Sequence, residues 1–171
     1  MKIIIDAYNV MRSTAFADDF DFKVLKNQRE RFLQLLSGYA DRVKHRVIAV
    51  FDGAGTGEIL SNSESFGRIE VVYSSGGESA DDIIKKMAAE AANPKDILVV
   101  SSDKEIMYYV KQCGAGVVPA GELYSRIREK SVPLEKGLID PGYIEKYVKG
   151  YEGEEKNGQG RRNKKRKAKS W

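Results

Sequence analysis

The feature that most constrains the fold of this chain is a series of short, unbroken apolar runs separated by helical patterns. Lys2–Ile5 and Arg46–Phe51 show no alternation of polar and apolar residues, which is typical of strands buried on both faces of a parallel sheet. Between them, apolar residues recur at helical spacing from Val24 to Val43. Because parallel strands need crossover connections, this alternation predicts a layered α/β fold.

The same alternation continues along the chain. Apolar runs, helical spacing and stop signals such as Asn93-Pro94 predict three further strands and four further helices. The predicted architecture is a three-layer α/β/α sandwich around a central, mainly parallel five-stranded sheet. The further strands are Ile69–Tyr73, Asp96–Val100 and Gly116–Pro119, and the further helices are Ser79–Ala92, Lys104–Gln112, Glu122–Arg128 and Asp140–Lys149.

Basic residues are unevenly distributed along the chain. Seven of the 29 fall within 161–171, where there is no acidic residue, which leaves 22 basic against 25 acidic residues in 1–160. Residues 150–160 are rich in Gly, Glu and Asn, so we expect 1–149 to form the folded domain and 150–171 a flexible basic tail. A cationic tail of this kind is suited to binding RNA. The predicted RNA contacts in it are Arg161, Arg162, Lys164, Lys165, Arg166 and Lys167.

Composition excludes several classes of protein. Hydrophobic residues make up 42% of the 171 positions and charged residues 32%, which favours a folded protein over a disordered one. No apolar run approaches the roughly 20 residues that span a bilayer, so we expect no membrane partner. The single cysteine, Cys113, cannot form an intramolecular disulfide. A reducing compartment, the cytoplasm, is therefore expected.

Acidic residues cluster where the predicted strands end. Asp6 ends the first strand, Asp52 follows the second, and Asp103 follows the fourth. Glu78 and Asp81 lie in the connection that leaves the third strand. Because the carboxyl ends of parallel strands meet at one edge of a sheet, we expect these side chains to lie close together.

Several carboxylates in one place repel one another unless a cation lies between them. Oxygen ligands without His or Cys partners suit Mg²⁺ or Mn²⁺, which activate water for displacement at phosphorus. Ser79 and Asp82 have the spacing of a capping box, which favours Asp81 over Asp82 as a ligand. An aspartate after a strand is also common as a plain turn or cap residue, and that alternative stays open.

Five motifs follow one another along residues 1–128. The first is a D-x-Y-N signature at Asp6, Tyr8 and Asn9. The others are Phe51-Asp52-Gly53, Gly77–Asp81, Val99–Asp103 and Gly114–Leu123. In order and spacing they resemble the YacP-like branch of the NYN nucleases, within the PIN-like superfamily. The resemblance implies a PIN-like fold and a metal-dependent endoribonuclease that cuts RNA, single-stranded or messenger RNA, in association with the ribosome. Since this branch includes bacterial and plastid proteins, it also implies the cytoplasm or, for a plant-type source, the plastid stroma.

The resemblance also implies roles for individual residues. Those that match the acidic core of the family, and so the ligands of Mg²⁺ or Mn²⁺, are Asp6, Asp81 and Asp103. Those that match supporting positions are Asn9, Asp52 and Glu78. Candidate RNA contacts at the same edge, for which a plain surface role is the alternative, are Arg12, Ser102 and Lys104. A second function stays open, a non-catalytic RNA-binding module that uses its basic tail on a PIN-like scaffold.

Overall fold

The computed structural model describes residues 1–16, 20, 25–53, 63–75 and 77–128, which alternate between strands and helices. The strands are β1 (Lys2–Asp6), β2 (Arg46–Phe51), β3 (Ser63–Phe66), β4 (Ile69–Tyr73), β5 (Ile97–Val100) and β6 (Gly116–Val118). The helices are α1 (Ala7–Arg12), α2 (Leu25–Ala40), α3 (Ala80–Ala89), α4 (Lys104–Gln112) and α5 (Ala120–Arg128).

The strands form one six-stranded sheet in the order β3-β4-β2-β1-β5-β6. β1 is parallel to β2 on one side and to β5 on the other, and Ile5 lies level with Ala49 and Val100. β3 pairs with β4 in the antiparallel direction. The prediction of a mainly parallel sheet is confirmed, but the predicted number of five strands is wrong. Three of the four residues of β3 are exposed at the edge of the sheet, so it lacks the apolar run that marks a buried strand.

Each face of the sheet carries a hydrophobic layer because successive side chains of a strand point to opposite faces. On one face, Ile3 and Ile5 belong to a core with residues of α1, α2 and α5. On the other face, Ile4 belongs to a core with residues of α3 and α4. The predicted three-layer α/β/α sandwich is therefore confirmed. No helix in the described part of the chain is both long and apolar enough to cross a membrane.

The sequence pattern did not predict helix α1, which packs on the face of the sheet that carries Ile3 and Ile5. It follows β1 directly, and six residues are too few for a periodic apolar pattern. The predicted helix Asp140–Lys149 and the predicted tail 150–171 lie outside the described residues.

Candidate active site

Three helices begin at the edge of the sheet where β1, β4 and β5 end. Asp6 is the N-cap of α1, Ser79 of α3 and Asp103 of α4. The first backbone N–H groups of a helix are unpaired within it, and the helix dipole gives this end a partial positive charge. These helix starts therefore favour negative side chains nearby.

A cleft of about 500 Å³ opens at this edge. Segments that are far apart in the sequence contribute its walls, and four of the lining side chains are aspartates. The predicted site residues that line the cleft are Asp6, Asn9, Arg12, Asp52, Asp81, Ser102 and Asp103. Two other predicted residues are not part of this lining. Glu78 donates its backbone N–H to the Ser75 carbonyl at 2.9 Å, and Lys104 is exposed at the start of α4.

Asp6 is the most deeply buried of these acids, with 6% of its surface exposed. Its Oδ2 accepts a hydrogen bond from the Ser101 hydroxyl at 2.9 Å, and its Oδ1 accepts one from the Asn9 backbone N–H at 3.4 Å. Burial, with a smaller contribution from the charges of Asp81 and Asp103, raises the pKa of Asp6 to about 6 in spite of these hydrogen bonds. A nearby cation would relieve this cost.

Asp81 and Asp82 have different environments, as the capping box predicts. The Asp82 carboxylate accepts the Ser79 backbone N–H at 3.0 Å, and the Ser79 hydroxyl accepts the Asp82 backbone N–H at 3.2 Å. The hydrogen bonds from Ser79 lower the pKa of Asp82. Asp81 lines the cleft instead, and burial together with the charge of Asp103 raises its pKa. The prediction that Asp82 caps the helix is confirmed, and Asp81 as a ligand stays a prediction.

Two consecutive serines connect the ends of β1 and β5. Ser101 is fully buried, and its hydroxyl donates to Asp6 and accepts the Asp103 backbone N–H at 3.0 Å. Ser102 donates its backbone N–H to Asn9 Oδ1 at 2.7 Å. The Asn9 side chain thus holds the segment after β5 against the start of α1, and Ser101 fixes two acids relative to each other.

Asp52 is held by Ser74, a residue that the sequence analysis did not single out. Ser74 is buried, and its hydroxyl donates to Asp52 Oδ1 at 3.0 Å. The Ser74 hydroxyl oxygen also accepts the Gly53 backbone N–H at 2.9 Å. The only signal in the sequence is a serine directly after a strand, where a hydroxyl can bond to a neighbouring turn.

The oxygen donors of this cleft suit Mg²⁺ or Mn²⁺, since no His or Cys is among its described lining residues. Among the described residues, no three His, Cys, Asp or Glu side chains lie close enough together to hold one ion between them. Mg²⁺ usually keeps several waters and is held through only one or two carboxylates. The donor chemistry therefore fits an ion bound partly through water, and the residues that would hold it are Asp6, Asp81 and Asp103.

Aromatic and basic side chains lie beside the acidic ones. Tyr8 packs edge-on against Phe51 with ring centroids 5.3 Å apart, and the Arg12 guanidinium lies 5.6 Å from the centre of the Tyr8 ring. Tyr73 stacks on Phe51 at 5.7 Å, and the Arg29 guanidinium lies 5.7 Å from the centre of the Tyr73 ring. Tyr8 is 9% exposed, so it is a core residue at the cleft wall rather than an open platform for a base.

A mainly parallel α/β sheet that gathers aspartates at the carboxyl ends of its strands is typical of a domain with the PIN-like nuclease fold. The chain belongs to the YacP-like NYN domain family, whose model matches residues 3–170. The match to the family therefore extends beyond Arg128, where the resemblance based on the five motifs ends.

The relatives of this chain agree with that assignment. It is 27% identical over 135 residues to the protein YacP of Bacillus subtilis (strain 168). This aligned region covers 78% of this chain and 79% of that protein. Two crystal structures of Rae1 (YacP) from Bacillus subtilis have the same fold, each with a TM-score of 0.61. One, of a single-residue variant, is 25% identical and covers 75% of each chain. The other is 22% identical and covers 96% of this chain and 89% of the other.

Proposed function

We propose that this protein is a metal-dependent endoribonuclease, which hydrolyses phosphodiester bonds of RNA with Mg²⁺ or Mn²⁺. The observation that carries the proposal is that Asp6, Asp52, Asp81 and Asp103 line one cleft although they come from four separate segments. The nuclease fold of the family supports it. A divalent ion, when bound, supplies an activated water and neutralises charge at the phosphate.

The residues of the chain position the reacting groups. Asp6 is fixed by Ser101, and Asp103 is fixed as the cap of α4, where its Oδ1 accepts the Glu105 backbone N–H at 2.7 Å. Asp52 is more exposed and is held by Ser74, so it can hydrogen-bond to the attacking water and take its proton.

Cations beside the cleft allow an acidic site to accept a polyanion. Arg12 lines the cleft, and its planar guanidinium matches the geometry of a phosphate group. Ser102 lines it too and is exposed, as is Lys104 near the same edge. We propose these three residues as contacts to the phosphates of the RNA that flank the cleaved bond.

A cleavage assay tests the proposal. RNA incubated with the wild-type protein and Mn²⁺ is expected to be cut, and a chelator is expected to stop the cutting. Asp81→Asn is expected to slow cleavage at least about 100-fold, since even indirect partners of a metal cost 10- to 100-fold. Asp82→Asn is the matched control: the same change one residue away, outside the cleft, is expected to leave the rate near that of the wild type. Cleavage that survives the chelator or Asp81→Asn would contradict the proposal.

The seven basic residues of 161–171, a stretch without any acidic residue, favour a second candidate, a non-catalytic RNA-binding module. On this view the basic tail is the main RNA contact. Deleting 161–171 is expected to weaken RNA binding and to reduce the slope of log affinity against log salt by up to about 5, since each of seven cations displaces about 0.7 counterion from single-stranded RNA. Salt titrations of both proteins with fluorescent RNA measure this slope. RNA binding without any cleavage in Mn²⁺, lost on truncation, would establish this candidate.

The family resemblance extends the first proposal to messenger RNA on the ribosome, in the cytoplasm. Sedimentation of the protein through a sucrose gradient with ribosomes tests this part. Co-migration with ribosomes at physiological salt is the expected result, and a protein that stays at the top of the gradient would contradict it.

A further inference from the structure

An ion pair joins the two helices that begin at the cleft. Lys85 Nζ of α3 pairs with Glu105 Oε1 of α4. Lys85 lies one turn after Asp81 on α3, and Glu105 lies two residues after Asp103 at the start of α4. The ion pair therefore links the turn that carries one cleft aspartate to the turn that carries the other.

The positive charge of Lys85 acts on Asp81 in the cleft as well as on Glu105. Burial and the charge of Asp103 raise the pKa of Asp81, while the charge of Lys85 opposes this rise. The Lys85 side chain is 20% exposed against 54% for Glu105, so solvent screens its charge less. A lysine four residues after an aspartate on a helix can also reach it directly. Lys85 thus has three acidic partners within reach, Glu105, Asp81 and Asp82. Of the two aspartates, Asp82 is held by Ser79 and only Asp81 lines the cleft.

We propose that Lys85 competes with the divalent cation for the cleft and that Glu105 positions Lys85 away from Asp81. With Glu105 in place, Lys85 stays between α3 and α4, and Asp81 remains available to the ion. Without Glu105, Lys85 turns to Asp81 and neutralises the charge that attracts the ion. Lys85 and Glu105 are positioning residues, because neither lines the cleft. The inference rests on the proposed function only in that the cleft takes a divalent ion.

Binding of Mn²⁺ alone to the full chain, measured by electron paramagnetic resonance at neutral pH without RNA, tests the inference. Lys85→Met is expected to tighten Mn²⁺ binding about three- to tenfold, because a positive charge near the ion is removed. Glu105→Gln is expected to weaken it by a similar factor of about three to ten. Lys85→Arg keeps the positive charge, so its affinity for Mn²⁺ is expected to equal that of the wild type. Lys86→Met, the same change at an exposed neighbour on α3, is the matched control and is expected to have little effect.

The signs of the two changes separate charge competition from a structural role. If the ion pair only held α3 against α4, breaking it from either side would shift Mn²⁺ affinity in the same direction. In the double variant Lys85→Met with Glu105→Gln, the effect of Glu105→Gln is expected to shrink, since no lysine is left to turn to Asp81. Thermal melts in chelator establish that each variant is folded.

Three results would overturn the inference: shifts of equal sign, a Lys85→Met affinity equal to that of Lys86→Met, or an undiminished Glu105→Gln effect in the double variant. A wild-type protein without measurable Mn²⁺ binding would overturn it too. A wild-type protein that binds Mn²⁺ but cuts no RNA would overturn the nuclease proposal alone, so the two failures are distinguishable.

Discussion

Replacing Asp6 with asparagine is expected to raise the free energy of unfolding of the metal-free protein at pH 8 by about 3 kcal/mol. Burial raises the pKa of Asp6 from its ordinary 3.8 to about 6. A carboxyl group with a raised pKa in the folded state stabilises the protein fully below its unfolded pKa, and this contribution is lost as the pH rises through the folded pKa. Asparagine carries no charge and can still accept the Asn9 N–H as the N-cap of α1.

Urea denaturation in chelator at several pH values measures this effect. The difference between Asp6→Asn and the wild type is expected to be small at pH 4, to grow between pH 4 and about 6, and to level off at higher pH. Asp82→Asn is the control, and its expected change in the free energy of unfolding has the opposite sign. Hydrogen bonds from Ser79 lower the pKa of Asp82, so the charged carboxylate stabilises the wild type at high pH. A stability difference for Asp6→Asn that does not change with pH would show that burial of the charge is not its cause.

The same substitution separates stability from activity. Mn²⁺ is expected to stabilise the wild type against urea but not Asp6→Asn, because the ion relieves the cost of burying the carboxylate that the variant lacks. On the nuclease proposal Asp6→Asn also loses cleavage. A residue whose removal makes the protein more stable and less active has been retained for function rather than for folding.

Much of the fold could be predicted from the sequence because the strands that build the site are buried on both faces. β1, β2 and β5 are continuous apolar runs, and burial on both faces requires that pattern. β3 could not be predicted, because a short strand at the edge of a sheet leaves its polar side chains in water. Helix α1 was missed because its start is set by the cap at Asp6 and by packing rather than by a periodic pattern.

For the site, the sequence could predict which residues lie at the same edge of the sheet, but not how their side chains are oriented. The polarity of parallel strands brings Asp6, Asp81 and Asp103 to one cleft, and this follows from the order of strands and helices. The hydrogen bonds that orient the acids depend on how neighbouring strands are aligned. Ser74 reaches Asp52 only because β4 lies beside β2 with Tyr73 level with Phe51, and nothing in the local sequence specifies that pairing.

Gly53→Ala is expected to lower the free energy of unfolding by roughly 2–4 kcal/mol, because the position after β2 has no room for a side chain. A Cβ atom at Gly53 would lie 2.0 Å from the backbone carbonyl oxygen of Ser74. The obstacle is backbone, held by a hydrogen bond from the Ser74 N–H to the Phe51 carbonyl at 2.9 Å, so a rotamer change cannot relieve it. Either β2 or β4 must shift, and the shift breaks the hydrogen bonds that Ser74 makes to Gly53 and Asp52.

Gly38→Ala is the matched control for this substitution. Gly38 lies within α2, where a Cβ atom would have nothing within 4 Å, so the change is expected to stabilise the protein by about 0.5–1 kcal/mol. Chemical denaturation of the two variants gives free energies of opposite sign relative to the wild type. If Gly53→Ala is as stable as the wild type, the close approach of β2 and β4 at this point is wrong, and with it the hydrogen bonds that hold Asp52 at the cleft.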